Sequence, residues 1–320
     1  MGMFVRPVGC RIALISVLTA GLALAGSTGA AAAKAKPKSA GNAPADQRSC
    51  MNGSGDAAIA ACTRAVTSGR FSGSVQAVLY VKRAGERTKK RQYDQSIADF
   101  DLALRLVPRS AAVRLGRGMV YRFVGDDARA IADFTKAIEL NPKLAAAYAN
   151  RGHAYYSGGN TAGAIADFDR AIALAPEYPL AYGGRGNVYR AKGDFDRAIA
   201  DYSKTIALRP DSAPVYNSRG NAYRDKGDLA KALADYNKAI ELNDKLVYAH
   251  DNRGLTHFKL GEFDKAVADY DAALKLDPEY ARSLMGRGLA KTKKGDVASG
   301  NTDIEAAKKL QPNISEVLLR

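Results

Sequence analysis

The 320-residue sequence has few of the residues and none of the motifs from which most active sites are built. It contains three histidines and three cysteines, and these do not recur at the spacing of a Cys–His metal site. It has no HExxH, no GxSxG, no GxxxxGK(S/T) and no GxGxxG after a strand, so it lacks common signatures of metalloproteases, serine hydrolases and nucleotide-binding proteins. We therefore predict that the protein is not an enzyme and that it uses no metal and no cofactor.

Acidic residues are scarce relative to basic ones. The sequence has 33 Asp and Glu against 48 Lys and Arg, which gives a formal net charge of +15 at pH 7. With 25% charged residues and 11 prolines, the composition is typical of a folded, soluble protein rather than a disordered one. The excess of positive charge favours an acidic partner.

Charge is absent from one stretch near the N-terminus, residues 12–33. Arg6 and Arg11 precede it and several small residues end it, so residues 1–33 have the layout of a secretory signal peptide. We expect export and a periplasmic location. An uncleaved N-terminal membrane anchor is the alternative, because about 20 apolar residues can span a bilayer. Residues 34–47 contain Lys and Pro without apolar periodicity and are predicted to form a flexible leader.

Such a cleavage would leave two cysteines, Cys50 and Cys62. Gly55 and Asp56 indicate a turn between them, so the two cysteines would lie on different arms of one helical hairpin. An even pair at close spacing in an oxidising compartment suggests a disulfide, and two small buried side chains are the alternative. Residues 48–76 around them are predicted to form a degenerate copy of the repeat that follows.

From residue 77 onward the sequence repeats every 34 residues. Small residues recur at the eighth and twentieth places and large ones at the fourth, eleventh and twenty-fourth, as Gly152, Tyr155, Ala164 and Phe168 illustrate in one unit. From the second unit onward, a glycine at the fifteenth place is predicted to end the first of two helices in the left-handed conformation. The predicted units are 77–110, 111–144, 145–178, 179–212, 213–246, 247–280 and 281–314, and residues 315–320 would be the remnant of a C-terminal cap.

This period and pattern resemble the tetratricopeptide repeat, a helix–turn–helix unit. The resemblance implies an all-α fold in which the units stack into a right-handed superhelical solenoid. It also implies a non-enzymatic scaffold that binds a peptide or protein partner. The recurring aromatic residues would then form the core between helices.

Every predicted unit carries Arg at its seventh place and Asp at its twenty-third. A guanidinium and a carboxylate can form two parallel hydrogen bonds. Because an active site is needed once and this combination recurs in all seven units, we interpret it as a structural ion pair, formed either within a unit or between units. Its members are Arg83, Arg117, Arg151, Arg185, Arg219, Arg253 and Arg287, with Asp99, Asp133, Asp167, Asp201, Asp235, Asp269 and Asp303.

The resemblance also implies where partners bind. In this family the first helix of each unit lines the inside of the superhelix, and its second, fifth, ninth, twelfth and thirteenth places usually contact partners. Asn at the ninth place could bond a peptide backbone, and Arg at the twelfth could bind a carboxylate. The predicted concave-face residues are Met119, Arg122, Phe123, His153, Tyr156, Asn187, Arg190, Asn217, Asn221, Arg224, Tyr248, Phe258 and Lys259, with Asp225, Asp251, Arg282 and Lys293 at further places of this set. A solvated face without a single ligand is the alternative.

Together these observations predict an exported scaffold that binds an acidic segment of a peptide or protein through its concave face. The alternative is a protein that binds an anionic cell-envelope polymer or lipid headgroups and associates peripherally with the envelope. A nucleic acid is a disfavoured partner, because no exposed aromatic platform is expected for its bases and because the protein is expected to be exported.

Overall fold

The computed structural model describes residues 43–314, and every regular element in that range is an α-helix. The predicted signal peptide at 1–33, the leader residues 34–42 and the predicted cap remnant at 315–320 lie outside the described residues. Between residues 43 and 314, no helix has both the length and the apolar character needed to cross a membrane. The all-α prediction is confirmed for this range.

The described helices pair into helical hairpins and fall into two compact units, divided after Pro176. Unit 1 contains α1 (Ala43–Asn52), α2 (Gly55–Thr67), α3 (Gly73–Lys89), α4 (Tyr93–Leu106), α5 (Ala111–Val124), α6 (Asp127–Leu140), α7 (Ala145–Ser157) and α8 (Thr161–Leu174). Unit 2 contains α9 (Pro179–Ala191), α10 (Phe195–Leu208), α11 (Ala213–Lys226), α12 (Leu229–Leu242), α13 (Val247–Lys259), α14 (Phe263–Leu276), α15 (Ala281–Lys293) and α16 (Val297–Leu310).

A glycine in the left-handed conformation follows the first helix of six repeats, as the sequence predicts. In the repeat that begins with α5, Gly125 has a φ of 83° and the side chain of Asp126 then caps α6 by accepting a hydrogen bond from the backbone N–H of Arg129. In the first full repeat Arg91 occupies the place of this glycine, with a φ of 60°. That conformation is unfavourable for a residue that has a Cβ atom. The six glycines, with φ between 75° and 96°, are Gly125, Gly159, Gly193, Gly227, Gly261 and Gly295.

Close approach of the two helices in a repeat explains the glycine at the eighth place. A Cβ atom added to Gly118 would lie 2.7 Å from the ring of Phe134, and one added to Gly220 would lie 2.7 Å from the ring of Tyr236. The aromatic ring at the twenty-fourth place therefore packs directly on the backbone of the first helix. These rings are at most 1% exposed, and they belong to Phe100, Phe134, Phe168, Tyr202, Tyr236 and Tyr270.

The hairpin of α1 and α2 precedes the full repeats. Helix α1 begins at Ala43, so the prediction of a flexible leader is wrong for residues 43–47. These residues are helical because Ala43 is buried and because Asp46 forms a 2.8 Å ion pair with Arg64 of α2. Cys50 of α1 and Cys62 of α2 form a disulfide that joins the two helices.

A buried carboxylate attaches this hairpin to the first full repeat. Glu86 of α3 accepts a hydrogen bond of 3.0 Å from the backbone N–H of Gly55, at the start of α2, and its side chain is 2% exposed. Burial alone would raise the pKa of Glu86, but hydrogen bonds from Lys89, Gly55 and Lys82 lower it below its ordinary value. Helix α3 begins at Gly73, before the predicted start of the first repeat at residue 77, so the end of the predicted degenerate copy 48–76 belongs to the first helix of the next repeat.

Candidate functional site

The first helices of successive repeats form one side of unit 2. Helix α9 contacts α11, α11 contacts α13, and α13 contacts α15. We call the surface of these four helices the inner face of unit 2. It is the face on which the family resemblance places partner contacts. Two sets of charged residues lie on these helices, and they differ in what surrounds them.

The first set is the recurring Arg and Asp, which form an ion pair within each of the seven repeats. In one repeat, Nε of Arg219 donates to Oδ2 of Asp235 at 2.8 Å and Nη2 donates to Oδ1 at 2.7 Å. The remaining nitrogen, Nη1, donates to Oγ of Ser203 in the preceding repeat at 3.0 Å. The arginine therefore bonds its own repeat twice and its neighbour once.

Tyrosine rings enclose this arginine. The Arg219 guanidinium carbon lies 5.7 Å from the ring centroid of Tyr216 and 5.9 Å from that of Tyr223, close enough for cation–π attraction. Both rings are only half-buried, so the expectation that residues at the fourth and eleventh places belong to the core is wrong here. The hydrogen bond to Asp235 outweighs the effect of burial and raises the pKa of Arg219. These contacts give the recurring pair a structural role.

The second set is a chain of hydrogen-bonded side chains on the inner face of unit 2. Nη1 of Arg190 donates to Oδ2 of Asp225 at 2.9 Å. Nε and Nη2 of Arg224 donate to Oδ1 of the same carboxylate at 3.3 and 3.0 Å. Two guanidinium groups from consecutive repeats therefore share one carboxylate. We call the whole set the Arg–Asn network: Arg190, Asn217, Arg224, Asp225, Asp251, Asn252, Arg282 and Ser283.

The amide of Asn252 joins three of these helices. Its Oδ1 accepts hydrogen bonds from Nη1 of Arg224 at 3.2 Å and from Nη2 of Arg282 at 2.6 Å. Its Nδ2 donates to Oδ1 of Asn217 at 3.0 Å. Asn252 is 4% exposed and Asn217 is 6% exposed, so these amides are buried and bonded to each other.

The network ends at a buried carboxylate. Asp251 is 0% exposed; its Oδ1 accepts a hydrogen bond from Oγ of Ser283 at 2.7 Å, and its Oδ2 lies 2.8 Å from Nε of Arg282. Burial raises the pKa of Asp251, and the charge of Arg282 and the hydrogen bond from Ser283 offset only part of that effect. The network thus contains three guanidinium groups and two carboxylates, one of them fully buried.

The predicted residues of unit 2 divide into those in the network and those near it. Six of them belong to it: Arg190, Asn217, Arg224, Asp225, Asp251 and Arg282. Asn187 and Asn221 accept hydrogen bonds of 2.7 and 2.8 Å from the hydroxyls of the core residues Tyr202 and Tyr236, and burial raises the pKa of Tyr236 to about 12. Each of these asparagine oxygens therefore bonds the interior of its own repeat.

Three other predicted residues lie apart from the network. Tyr248 is half-buried and burial raises its pKa, Phe258 packs edge-on against Phe263 with ring centroids 5.5 Å apart, and Lys259 is exposed. Within residues 43–314, no hydrogen bond joins any of these three to the network. Their positions on the helix matched the family pattern, but the polar contacts of unit 2 form elsewhere.

Two network residues, Asn252 and Ser283, were not among the predicted residues. They stand at the sixth and third places of their repeats, which are not among the family's usual partner-contacting places. The sixth place does not single out Asn252, because it holds glycine in three repeats and a polar residue in four: Gly116, Gly184 and Gly286 against Lys82, Asn150, Ser218 and Asn252.

The predicted residues of unit 1 form a more aromatic surface. The guanidinium carbon of Arg122 lies 5.9 Å from the ring centroid of Phe123, which stacks on Tyr93 at 6.5 Å. His153 packs edge-on against the core ring of Phe168 at 4.9 Å. Met119 and Tyr156 are half-buried in the same unit.

Family models match just over half of this chain. One model, described as TPR repeat, matches residues 152–189, 186–223 and 220–261. Two models described as tetratricopeptide repeat match residues 247–280 and 111–144. No curated protein sequence matches the chain.

Several solved structures resemble the fold. The APC/C hetero-tetramer Cut9-Hcn1 matches with a TM-score of 0.64 and 19% identity over 86% of this chain and 52% of that chain. A tetratricopeptide repeat protein from Parabacteroides merdae matches with a TM-score of 0.58 and 20% identity, over 75% and 96% of the two chains. Pseudomonas aeruginosa pilF matches with a TM-score of 0.58 and 18% identity, over 65% and 96%. At these identities the likeness concerns the fold alone.

The repeat period, the left-handed glycines, the buried rings and the family matches lead to one assignment. Tetratricopeptide repeats are typically non-enzymatic scaffolds for protein interactions. The chain belongs to the tetratricopeptide repeat family.

Proposed function

We propose that this protein is an exported, non-enzymatic scaffold that binds an acidic segment of a peptide or protein on the inner face of unit 2. The observation that carries the proposal is the Arg–Asn network, in which three guanidinium groups face two carboxylates, and one of those carboxylates is buried. The side chain of Arg190 is 37% exposed and that of Asp225, which both arginines bond, is 25% exposed, so a partner can reach this part of the network. The side chain of Arg224 is 13% exposed. The formal net charge of +15 would also attract an acidic partner from solution.

Export is part of the proposal. It is supported by the signal-like residues 1–33 and by the disulfide between Cys50 and Cys62, because disulfides persist in oxidising compartments. A periplasmic location fits both features. Fractionation of cells that express the full chain, with N-terminal sequencing of the product, tests export and separates a cleaved protein from a membrane-anchored one.

Crosslinking and affinity capture from a native envelope extract test the binding site. The bait is the chain from residue 34 onward, as wild type and as the double charge reversal Arg190→Glu with Arg224→Glu. The matched control reverses two exposed cations of unit 2 that lie outside the network, Lys204→Glu with Arg209→Glu. We expect wild type and control to capture the same acidic protein and the inner-face variant to lose it. Equal capture by all three baits would contradict the proposed site.

The second candidate is an anionic envelope polymer or lipid headgroup, and the net charge of +15 favours it. Such a partner responds to total charge rather than to one arrangement of side chains. Binding to isolated envelope would then fall steeply with salt and fall equally in both double variants. Loss in the inner-face variant alone favours the peptide partner.

A further inference from the structure

Asp225 is an unusual residue for its place in the repeat. It stands at the thirteenth place, where the other repeats have Lys89, Phe123, Ser157, Ala191, Lys259 and Lys293. It also lies in the last turn of α11, where the helix dipole disfavours a negative charge. The local helix therefore gives no reason for a carboxylate here.

The contacts of Asp225 come from the two arginines of the proposed binding surface. Arg190 of α9 bonds one carboxylate oxygen, and Arg224 bonds the other through two nitrogens. No backbone N–H within residues 43–314 donates to this carboxylate. The side chain is 25% exposed, so water and a partner can reach it.

Asp251 on the same face provides a contrast. It is fully buried, and both the Ser283 hydroxyl and the Arg282 guanidinium hold it. A partner cannot take its place without opening the helix packing. Of the two network carboxylates, only Asp225 is held by guanidinium groups alone and is accessible.

We propose that Asp225 is an internal ligand, which occupies the Arg190 and Arg224 guanidinium groups until a carboxylate from an acidic partner displaces it. This inference rests on the proposed function. A partner carboxylate can form the same charge-assisted hydrogen bonds that Asp225 forms. A neutral polar segment cannot replace them at equal strength, so the internal carboxylate makes the site selective for acidic segments and lowers its affinity for them.

A peptide titration tests this inference. The probe is a fluorescein-labelled, C-terminally amidated hexaglutamate peptide, with hexaglutamine as its neutral counterpart, and the readout is fluorescence anisotropy. The variant is Asp225→Asn, which removes the charge and keeps the shape. The matched control is Asp228→Asn, which removes one negative charge from unit 2, as Asp225→Asn does, and leaves the exposed Lys231 without its ion-pair partner. The Asn that it introduces can still cap the helix.

We expect Asp225→Asn to bind hexaglutamate about tenfold more tightly than wild type, equivalent to ~1.4 kcal/mol. Asp228→Asn should change affinity less than twofold, and hexaglutamine should not bind any variant. Adding Arg190→Ala and Arg224→Ala to Asp225→Asn should abolish the gain. If Asp225→Asn were unstable, Asp225→Ala would replace it, because Ala191 occupies this place in the preceding repeat.

The outcomes separate the inference from the proposed function. If wild type binds hexaglutamate and Asp225→Asn binds no more tightly than Asp228→Asn, the internal-ligand inference is overturned and the proposed site stands. If neither wild type nor Asp225→Asn binds hexaglutamate, both fail. A gain that survives removal of the two arginines would also overturn the inference.

Discussion

Asp235→Ala tests how much the recurring Arg–Asp pair stabilises the fold. The substitution removes both hydrogen bonds that Arg219 makes within its repeat and leaves the guanidinium with Ser203 and two half-buried tyrosines. The carboxylate side chain is 7% exposed and the arginine side chain 20% exposed. The arginine is therefore left largely desolvated without its main partner.

Removing one partner of a buried ion pair costs about 3–5 kcal/mol. Because Arg219 keeps some contact with water, we expect the lower end, a loss of about 3 kcal/mol in the free energy of unfolding. The control is Glu241→Ala on the same helix, which breaks an ion pair with Lys238 whose side chains are 67% and 40% exposed. An ion pair this exposed to water contributes little to stability, so we expect the free energy of unfolding to change hardly at all.

Urea denaturation followed by circular dichroism measures both losses. A double-mutant cycle with Arg219→Ala then isolates the coupling between the two residues. We expect the cycle to be strongly non-additive, because once the carboxylate is gone the arginine no longer stabilises the fold. Equal denaturation midpoints for Asp235→Ala and Glu241→Ala would refute the structural role of the pair.

Three further predictions concern stability. Arg91→Gly should stabilise the protein by about 1 kcal/mol, seen as a higher urea midpoint, because Arg91 has the left-handed φ that glycine adopts freely. Replacing Cys50 and Cys62 with Ser should cost about 2–3 kcal/mol in the N-terminal hairpin, which hydrogen exchange of α1 and α2 can locate; unchanged protection would contradict it. Burial alone would raise the pKa of Asp303, but hydrogen bonds from Arg287 and Lys291 lower it. Its stabilising effect should therefore be complete above the unfolded pKa of about 3.9 and disappear as pH falls through the lower folded value. Asp303→Asn and wild type should then converge in stability at acid pH, and a constant difference would contradict this.

The features that were predictable from sequence depend on contacts or backbone conformations within a single repeat. Gly125 ends a helix because its own backbone adopts the left-handed conformation, and Arg219 pairs with Asp235 because both lie in one hairpin. Each such contact joins residues 16 or fewer positions apart and recurs with the repeat. Repetition in the sequence therefore revealed both the residues and their structural role, although it left open whether the ion pair formed within or between repeats.

The Arg–Asn network was only partly predictable because it depends on how consecutive repeats are offset. Arg190 and Asp225 are 35 residues apart, as are Asn217 and Asn252, whereas Arg224 and Asn252 are 28 apart. None of these separations equals the 34-residue period. The pattern within a unit identifies which helix face carries polar residues, but the packing of the helices decides which of them meet.

Most of the positive charge of the protein lies outside the residues that we propose bind the partner, so the two groups of residues should act on different steps of binding. The seven Arg–Asp pairs are each neutral, and the Arg–Asn network contributes three positive and two negative charges, so most of the net +15 lies elsewhere. Dispersed charge accelerates the encounter with an acidic partner and makes that rate sensitive to salt. Residues that bond the partner directly act mainly on dissociation. Reversal of Lys204 and Arg209 should therefore slow association at low salt, whereas substitutions at Arg190, Arg224 or Asp225 should change the dissociation rate. If substitutions at Arg190, Arg224 or Asp225 gave the same dissociation rate as the reversal of Lys204 and Arg209, the inner face would not be the surface that holds the partner.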